Sequence, residues 1–365
     1  MTERVRLQPI LLFLTLGLSV WPAVDSVAQP ASDPAPPRVR LIATGGTISN
    51  RAGGRLTADE LVKLLPDLGR WATPESEQFS NLASSELTLA QWLDLSKRIN
   101  TLLGEDRGLA GIVVTSGTDT LEELAYFLDL TVRSEKPVIV VGSMRNPSTL
   151  GYEGAANLQE AFRVAADPVS RGRGVLVVLN DEINAAREVT KTDALRLETF
   201  QSRPYGILGV VDADRVVYYR DSVKRNTGKS EFDITTVSAL PRVDVLLVYQ
   251  GASGDLVKAA VDQGAKGIVI AAAGAGAISG TQNEGISYAL DKGVFVVTTT
   301  RTGSGRIAAG RGFRGRGRQD AAAAARLDHT IAGEDLSPIK ARILLMLALT
   351  RTQAGSEIQR IFTEY

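Results

Sequence analysis

Cysteine is absent from the 365 residues and histidine occurs once, at His329. The first absence excludes disulfides, thiolate metal sites and a cysteine nucleophile. The second leaves little room for serine-histidine hydrolysis, because the chain also lacks the G-x-S-x-G elbow that such an imidazole would serve. The single His329 is expected at the surface. An excess of one charge is missing too: Lys+Arg and Asp+Glu both number 41, so no global field draws the protein to nucleic acid or an anionic surface. Any catalysis has to be built from hydroxyls, lysine and carboxylates.

Long apolar runs are equally scarce. The most prominent covers residues 10–20, behind Arg4 and Arg6 and ahead of Ser26-Val27-Ala28. It falls short of the roughly 20 residues that a spanning helix needs, and its flanks have the charged and small-residue parts of a secretory signal. Residues 1–28 are therefore expected to be a signal peptide, and the mature protein to be periplasmic or secreted without a membrane anchor. The Pro/Ala-rich residues 29–37 read as a stiff, solvated tether.

What is present is an ordinary globular composition, 44% hydrophobic and 22% charged, in a chain long enough for two domains. Short Val/Ile/Leu-rich runs at residues 39–43, 111–115, 137–142 and 174–179 have the character of strands buried on both faces. Helix-spaced apolar patterns separate them at residues 58–65, 89–103, 121–133 and 155–166. A second set follows, with strands at 243–249, 267–272 and 294–299 and helices at 255–263, 284–292 and 338–352. The alternation predicts an α/β fold: two α/β domains with mostly parallel sheets, at 38–220 and 242–365, joined by a polar linker at 221–241. The Gly/Arg-rich run 303–318 and the alanines 321–325 are the low-complexity segments.

Two threonine segments fall at the carboxyl ends of predicted strands, where open α/β sheets place their ligands. In Ala43-Thr44-Gly45-Gly46-Thr47-Ile48 the glycines allow a tight or positive-φ backbone that presents Thr47 beside free amide N–H groups. Taken alone, the same residues suit a plain strand-to-loop turn. In Thr115-Ser116-Gly117-Thr118-Asp119-Thr120 the hydroxyl of Thr118 and the carboxylate of Asp119 precede a helix, which they would also suit as a cap. A threonine needs a base, and Lys191 in Val189-Thr190-Lys191-Thr192 is the candidate, provided burial weakens its hold on the proton; otherwise it is a surface lysine.

The three segments, in this order, resemble the bacterial L-asparaginase family, and its exported type II members above all. The resemblance continues through residues 125–132, 141–145, 175–181 and 340–345, and covers nearly all of 38–365. It implies a homotetramer of asparaginase-like subunits that converts L-asparagine to L-aspartate and ammonia with neither metal nor organic cofactor. It also implies roles: Thr47 as primary nucleophile, Thr118, Asp119 and Lys191 as a second catalytic group, Asp119 as the partner of the substrate ammonium, and Ser84 as the partner of its carboxylate.

Departures from the family pattern cluster at substrate recognition. Ser85 stands where many type II members carry glutamine, the loop 49–60 has no tyrosine, and Ala277 replaces an asparagine. The family's second-domain glutamate has no clear counterpart; Gln282, Asn283 and Glu284 are the nearby candidates for compensation. Substrate selection is therefore open between asparagine, glutamine and other small amides or lactones. Two further readings are an inactive member of the fold and a polyanion-binding segment, since residues 301–318 carry six arginines among glycines.

Overall fold

A computed structural model describes residue 2, residues 35–309 and residues 321–365. The expected signal peptide and most of the tether lie outside the described residues, as do residues 310–320, which include most of the Gly/Arg-rich run.

The described residues between Pro36 and Tyr365 form one unit built on two main sheets. The first is assembled from β1 (Arg38–Gly45), β2 (Thr73–Leu82), β3 (Leu109–Thr115), β4 (Val138–Val141), β5 (Val175–Leu179), β6 (Glu182–Ala185), β7 (Gly209–Val211) and β8 (Val216–Tyr218). Their spatial order is β8-β7-β6-β5-β4-β3-β1-β2. Strands β2, β1, β3, β4 and β5 run parallel, and β6, β7 and β8 extend the sheet antiparallel. β4 and β5 are buried along their whole length, which is why they are continuous apolar runs rather than alternating ones.

The order β2-β1-β3 fixes where a ligand can enter. From β1 the chain crosses to one neighbour through α1 (Ala58–Lys63), and it returns to the other side of β1 through α2 (Leu89–Glu105). Connections that leave in opposite directions open a crevice above the carboxyl ends of β1 and β3. Helices α3 (Leu121–Thr131) and α4 (Gly154–Ala166) then cover the sheet.

The second sheet is fully parallel, in the order β9 (Val243–Leu247), β10 (Gly267–Ala272), β11 (Phe295–Thr300) and β12 (Thr330–Ala332). Helices α5 (Asp255–Asp262) and α6 (Gln282–Asp291) pack on it, and α7 (Ala321–Asp328) leads into β12. Helix α8 (Pro338–Leu349) is apolar nearly all round because it is enclosed: it touches α3 as well as β9, β10 and β11. Helix α9 (Gly355–Glu364) closes the chain with an amphipathic face on β12 and α8.

Three details differ from the sequence reading. β2, Thr-Pro-Glu-Ser-Glu-Gln-Phe-Ser-Asn-Leu, has no apolar alternation, yet it is ten residues long. It is an edge strand whose acids meet the arginines of β1 and α2, with Arg38 Nε 2.6 Å from Glu75 and Arg98 Nε 2.9 Å from Glu77. The polar segment expected as a linker carries Phe232 and Ile234 into the core, both under 4% exposed. His329 is not a plain surface residue: it is half-buried with its ring 4.3 Å from that of Phe295.

Candidate active site

The tips of β1 and β3 are stitched together before either reaches its loop. The Thr44 hydroxyl donates to the Thr115 carbonyl at 2.7 Å, and the Thr44 N–H approaches the Thr115 hydroxyl at 3.3 Å. Beyond them Gly45 and Gly46 have φ values of 110° and 86°. A Cβ on Gly46 would lie 2.3 Å from the Gly117 nitrogen, and one on Gly117 would lie 2.9 Å from Ser84 Oγ. Glycine is thus required by contact as well as by φ at Gly46, and by contact at Gly117. The contacts stack the first threonine loop, the second, and the Ser84–Glu86 turn in that order.

Thr47 opens the turn Thr47–Ser49 and is half-buried. Ser49 Oγ donates to the Gly46 carbonyl at 3.0 Å. Tyr152, at the entrance to α4, donates its hydroxyl to the Ile48 carbonyl at 2.8 Å, and Ser148 accepts from the Ala52 N–H at 2.9 Å. The loop before α4 therefore braces the Thr47 turn from outside, which no local pattern around Tyr152 announces.

Thr118 is 5% exposed, while the Asp119 side chain is largely open. Lys191 reaches both: its Nζ donates to Thr118 Oγ1 at 3.0 Å and to Asp119 Oδ1 at 2.8 Å. It does so from a short ladder in which Thr190 and Lys191 pair with Gln201 and Phe200. Glu122, in the first turn of α3, accepts from the Lys191 N–H at 3.0 Å and from the Thr190 hydroxyl at 2.9 Å. Ser84 is buried and its Oγ is 3.3 Å from the Thr120 N–H, whereas its neighbour Ser85 is exposed.

The residues singled out from the sequence thus fall into two sets. Thr118, Asp119 and Lys191 are in direct contact, and the backbone of Gly46, next to Thr47, lies against Gly117. Ser84 joins them through Gly117 and Thr120. Ala277 sits in an exposed hairpin-like bridge with Ala273, and Gln282 is buried with its amide donating to the Leu247 carbonyl. Gln282 thus spends its amide N–H on the second sheet. Glu122 has no motif to mark it in the sequence: it is one of two adjacent acids, Glu122 and Glu123, in the first turn of α3, and nothing local tells them apart.

Hydroxyl, ammonium and carboxylate at hydrogen-bond distance, beside glycine-rich backbone at a sheet switch point, make an acyl-transfer arrangement. Family comparison gives the same class. The family description "Asparaginase, N-terminal" matches residues 38–224, and "Glutaminase/Asparaginase C-terminal domain" matches residues 242–362. This chain belongs to the asparaginase family. It is 40% identical to "L-asparaginase 2" of Bacillus subtilis over 339 residues, covering 90% of this chain and 87% of that one. It is 36% identical to the "Glutaminase-asparaginase" of Pseudomonas fluorescens over 337 residues, 90% of each. Among solved structures, a probable cytoplasmic L-asparaginase from Campylobacter jejuni superposes with a TM-score of 0.83 at 38% identity, covering 90% of this chain and all of that one. The two-sheet α/β architecture is thus that of a family of amidohydrolases.

Proposed function

We propose that the protein hydrolyses the side-chain amide of L-asparagine to L-aspartate and ammonia. The observation that carries this reading is the contact of Lys191 with both Thr118 and Asp119, in an asparaginase-family chain whose Thr47 loop packs on the Thr118 loop. Thr47 Oγ attacks the amide carbon, and amide N–H groups of the glycine-rich loops stabilise the oxyanion. The C–N bond then breaks, ammonia leaves with the proton relayed to it, and water releases aspartate from the Thr47 ester. Thr118 and Lys191 handle the protons, Asp119 receives the substrate ammonium, and Ser84 receives its carboxylate. A serine oxygen that accepts from the Thr120 N–H still has its own hydrogen to donate.

Substrate affinity is weak in this reading. Ser85 is exposed and too short to replace an amide side chain, and Ala277 has no polar group to offer. Every uncompensated partner missing from a charged end of the substrate weakens binding by about 1.5–3 kcal/mol. A glutaminase-asparaginase is the second reading, supported by the similarity to the Pseudomonas fluorescens protein of that name. A homotetramer and export through the N-terminal signal belong to the same proposal, and in location the protein then differs from the probable cytoplasmic L-asparaginase of Campylobacter jejuni.

Ammonia release from asparagine and from glutamine, measured for the wild type, Thr47→Ala and Thr118→Ala, tests the proposal. Turnover of asparagine that is lost in both variants is expected. Equal activity in all three removes the mechanism, and saturation at low micromolar asparagine removes the weak-affinity part.

A further inference from the structure

Helix α8 is mostly buried and largely apolar, and its one lysine is buried as well. Lys340 is 2% exposed. Its Nζ donates to the carbonyls of Ala186 and Arg187 at 2.9 and 3.0 Å, and to that of Val189. These carbonyls belong to the chain that runs directly into Thr190 and Lys191. The same Nζ lies 3.8 Å from Glu122 Oε2, a buried oxygen with no hydrogen-bond partner among the described residues. The other Glu122 oxygen accepts from the Thr190 hydroxyl and the Lys191 N–H.

A lone buried ammonium or carboxylate is strongly unfavourable, and each is tolerated here by facing the other. Burial pulls Lys340 down to about 8, with Glu122 opposing that effect. Such a pair contributes little net stability over an apolar replacement, so its value has to be sought in what it positions. Glu122 is in the first turn of α3, two residues after Thr120 and four after Thr118. One carboxylate is therefore rigidly linked to the threonine and hydrogen-bonded to the backbone of the lysine. We infer that Glu122, its charge balanced by Lys340, is the positioning residue that holds Lys191 against Thr118. The inference rests on Lys191 and Thr118 working as a pair.

The test compares Glu122→Gln, Lys340→Met and the double variant, with Lys191→Ala and Thr118→Ala as controls. Each of the two single changes removes one charge of the buried pair, and Lys340→Met also takes the donor away from the carbonyls of the segment that leads into Lys191. A fall in kcat of about tenfold or more is expected, with KM within about threefold, because misplacement acts on the reacting groups more than on substrate binding. The double variant removes both charges and is expected to recover at least about threefold over Lys340→Met. A crystal structure of folded Glu122→Gln should show the 3.0 Å contact of Lys191 with Thr118 lengthened.

Glu122→Gln with kcat within twofold of wild type overturns the inference, as does a double variant no better than the poorer single. Should Lys340→Met yield no folded protein, the near-isosteric Glu122→Gln decides alone. Active Lys191→Ala and Thr118→Ala controls refute the site assignment itself. Inactive controls beside an unaffected Glu122→Gln refute only the positioning role.

Discussion

Gly46→Ala is the substitution whose effect the structure specifies most closely. Gly46 has φ 86° and ψ −177°, a region that side-chain-bearing residues essentially do not occupy, and forcing alanine into it costs about 1–3 kcal/mol. The new methyl would also meet rigid backbone, 2.3 Å from the Gly117 nitrogen and 2.4 Å from its Cα. Ordinary contact requires the two loops to part by about 1 Å, a form of overpacking that costs roughly 1–3 kcal/mol more. The total, about 2–6 kcal/mol, is within the stability of a typical domain, so a folded but destabilised enzyme is expected. The same displacement separates Thr47 from the Thr118–Lys191 pair, and 1 Å of misplacement is worth about 100-fold in rate. Urea unfolding and ammonia release at saturating asparagine measure the two effects independently. A folded Gly46→Ala protein with kcat within about threefold of wild type would refute the claim that contact between these loops builds the site.

Tyr152→Phe removes the hydroxyl that donates to the Ile48 carbonyl, so a stability loss of about 0.5–1.5 kcal/mol is expected, with lowered kcat and little change in KM. Denaturant titration and steady-state kinetics check it. Glu160 on α4 is pushed up to about 8, first by burial and then by its hydrogen bond to Asp181 and that residue's charge. The folded value lies above the unfolded one, so its contribution is complete at pH 4 and is lost as pH rises toward 8. Each unit is worth about 1.4 kcal/mol at full burial, so Glu160→Gln should flatten the fall in unfolding free energy between pH 5 and 8 by at least about 1 kcal/mol. Equal slopes in wild type and variant would count against it. Asp129, pushed up to about 7 by burial, leaves a residual slope of the same sign.

Much of the fold was legible because its parallel strands are buried on both faces. Runs such as residues 111–115 and 174–179 are short, Val/Ile/Leu-rich and open on glycine, the character of interior strands. Strand β2 was not legible, since an edge strand held by charge pairs to Arg38 and Arg98 need not alternate apolar and polar residues. Phe232 and Ile234 were hidden for a related reason: isolated apolar residues in a polar segment have no period, and only the core they enter explains them.

The site divides along the same line. Local sequence determined which groups can do chemistry: no cysteine and a single histidine leave hydroxyl, lysine and carboxylate, and glycines place Thr47 and Thr118 at strand ends. It also determined that this chain resembles a particular family of amidohydrolases. Tertiary structure alone decided that Lys191, more than seventy residues beyond Thr118, touches it, and that Lys340, about 150 residues further on, lies beneath the segment that carries Lys191. It decided too that Gln282 is buried, with its amide N–H on the Leu247 carbonyl of the second sheet. The reason is physical: turn chemistry and burial pattern act over a few neighbouring residues, while distances between segments far apart in the chain are set by sheet order and by the packing of α3 and α8.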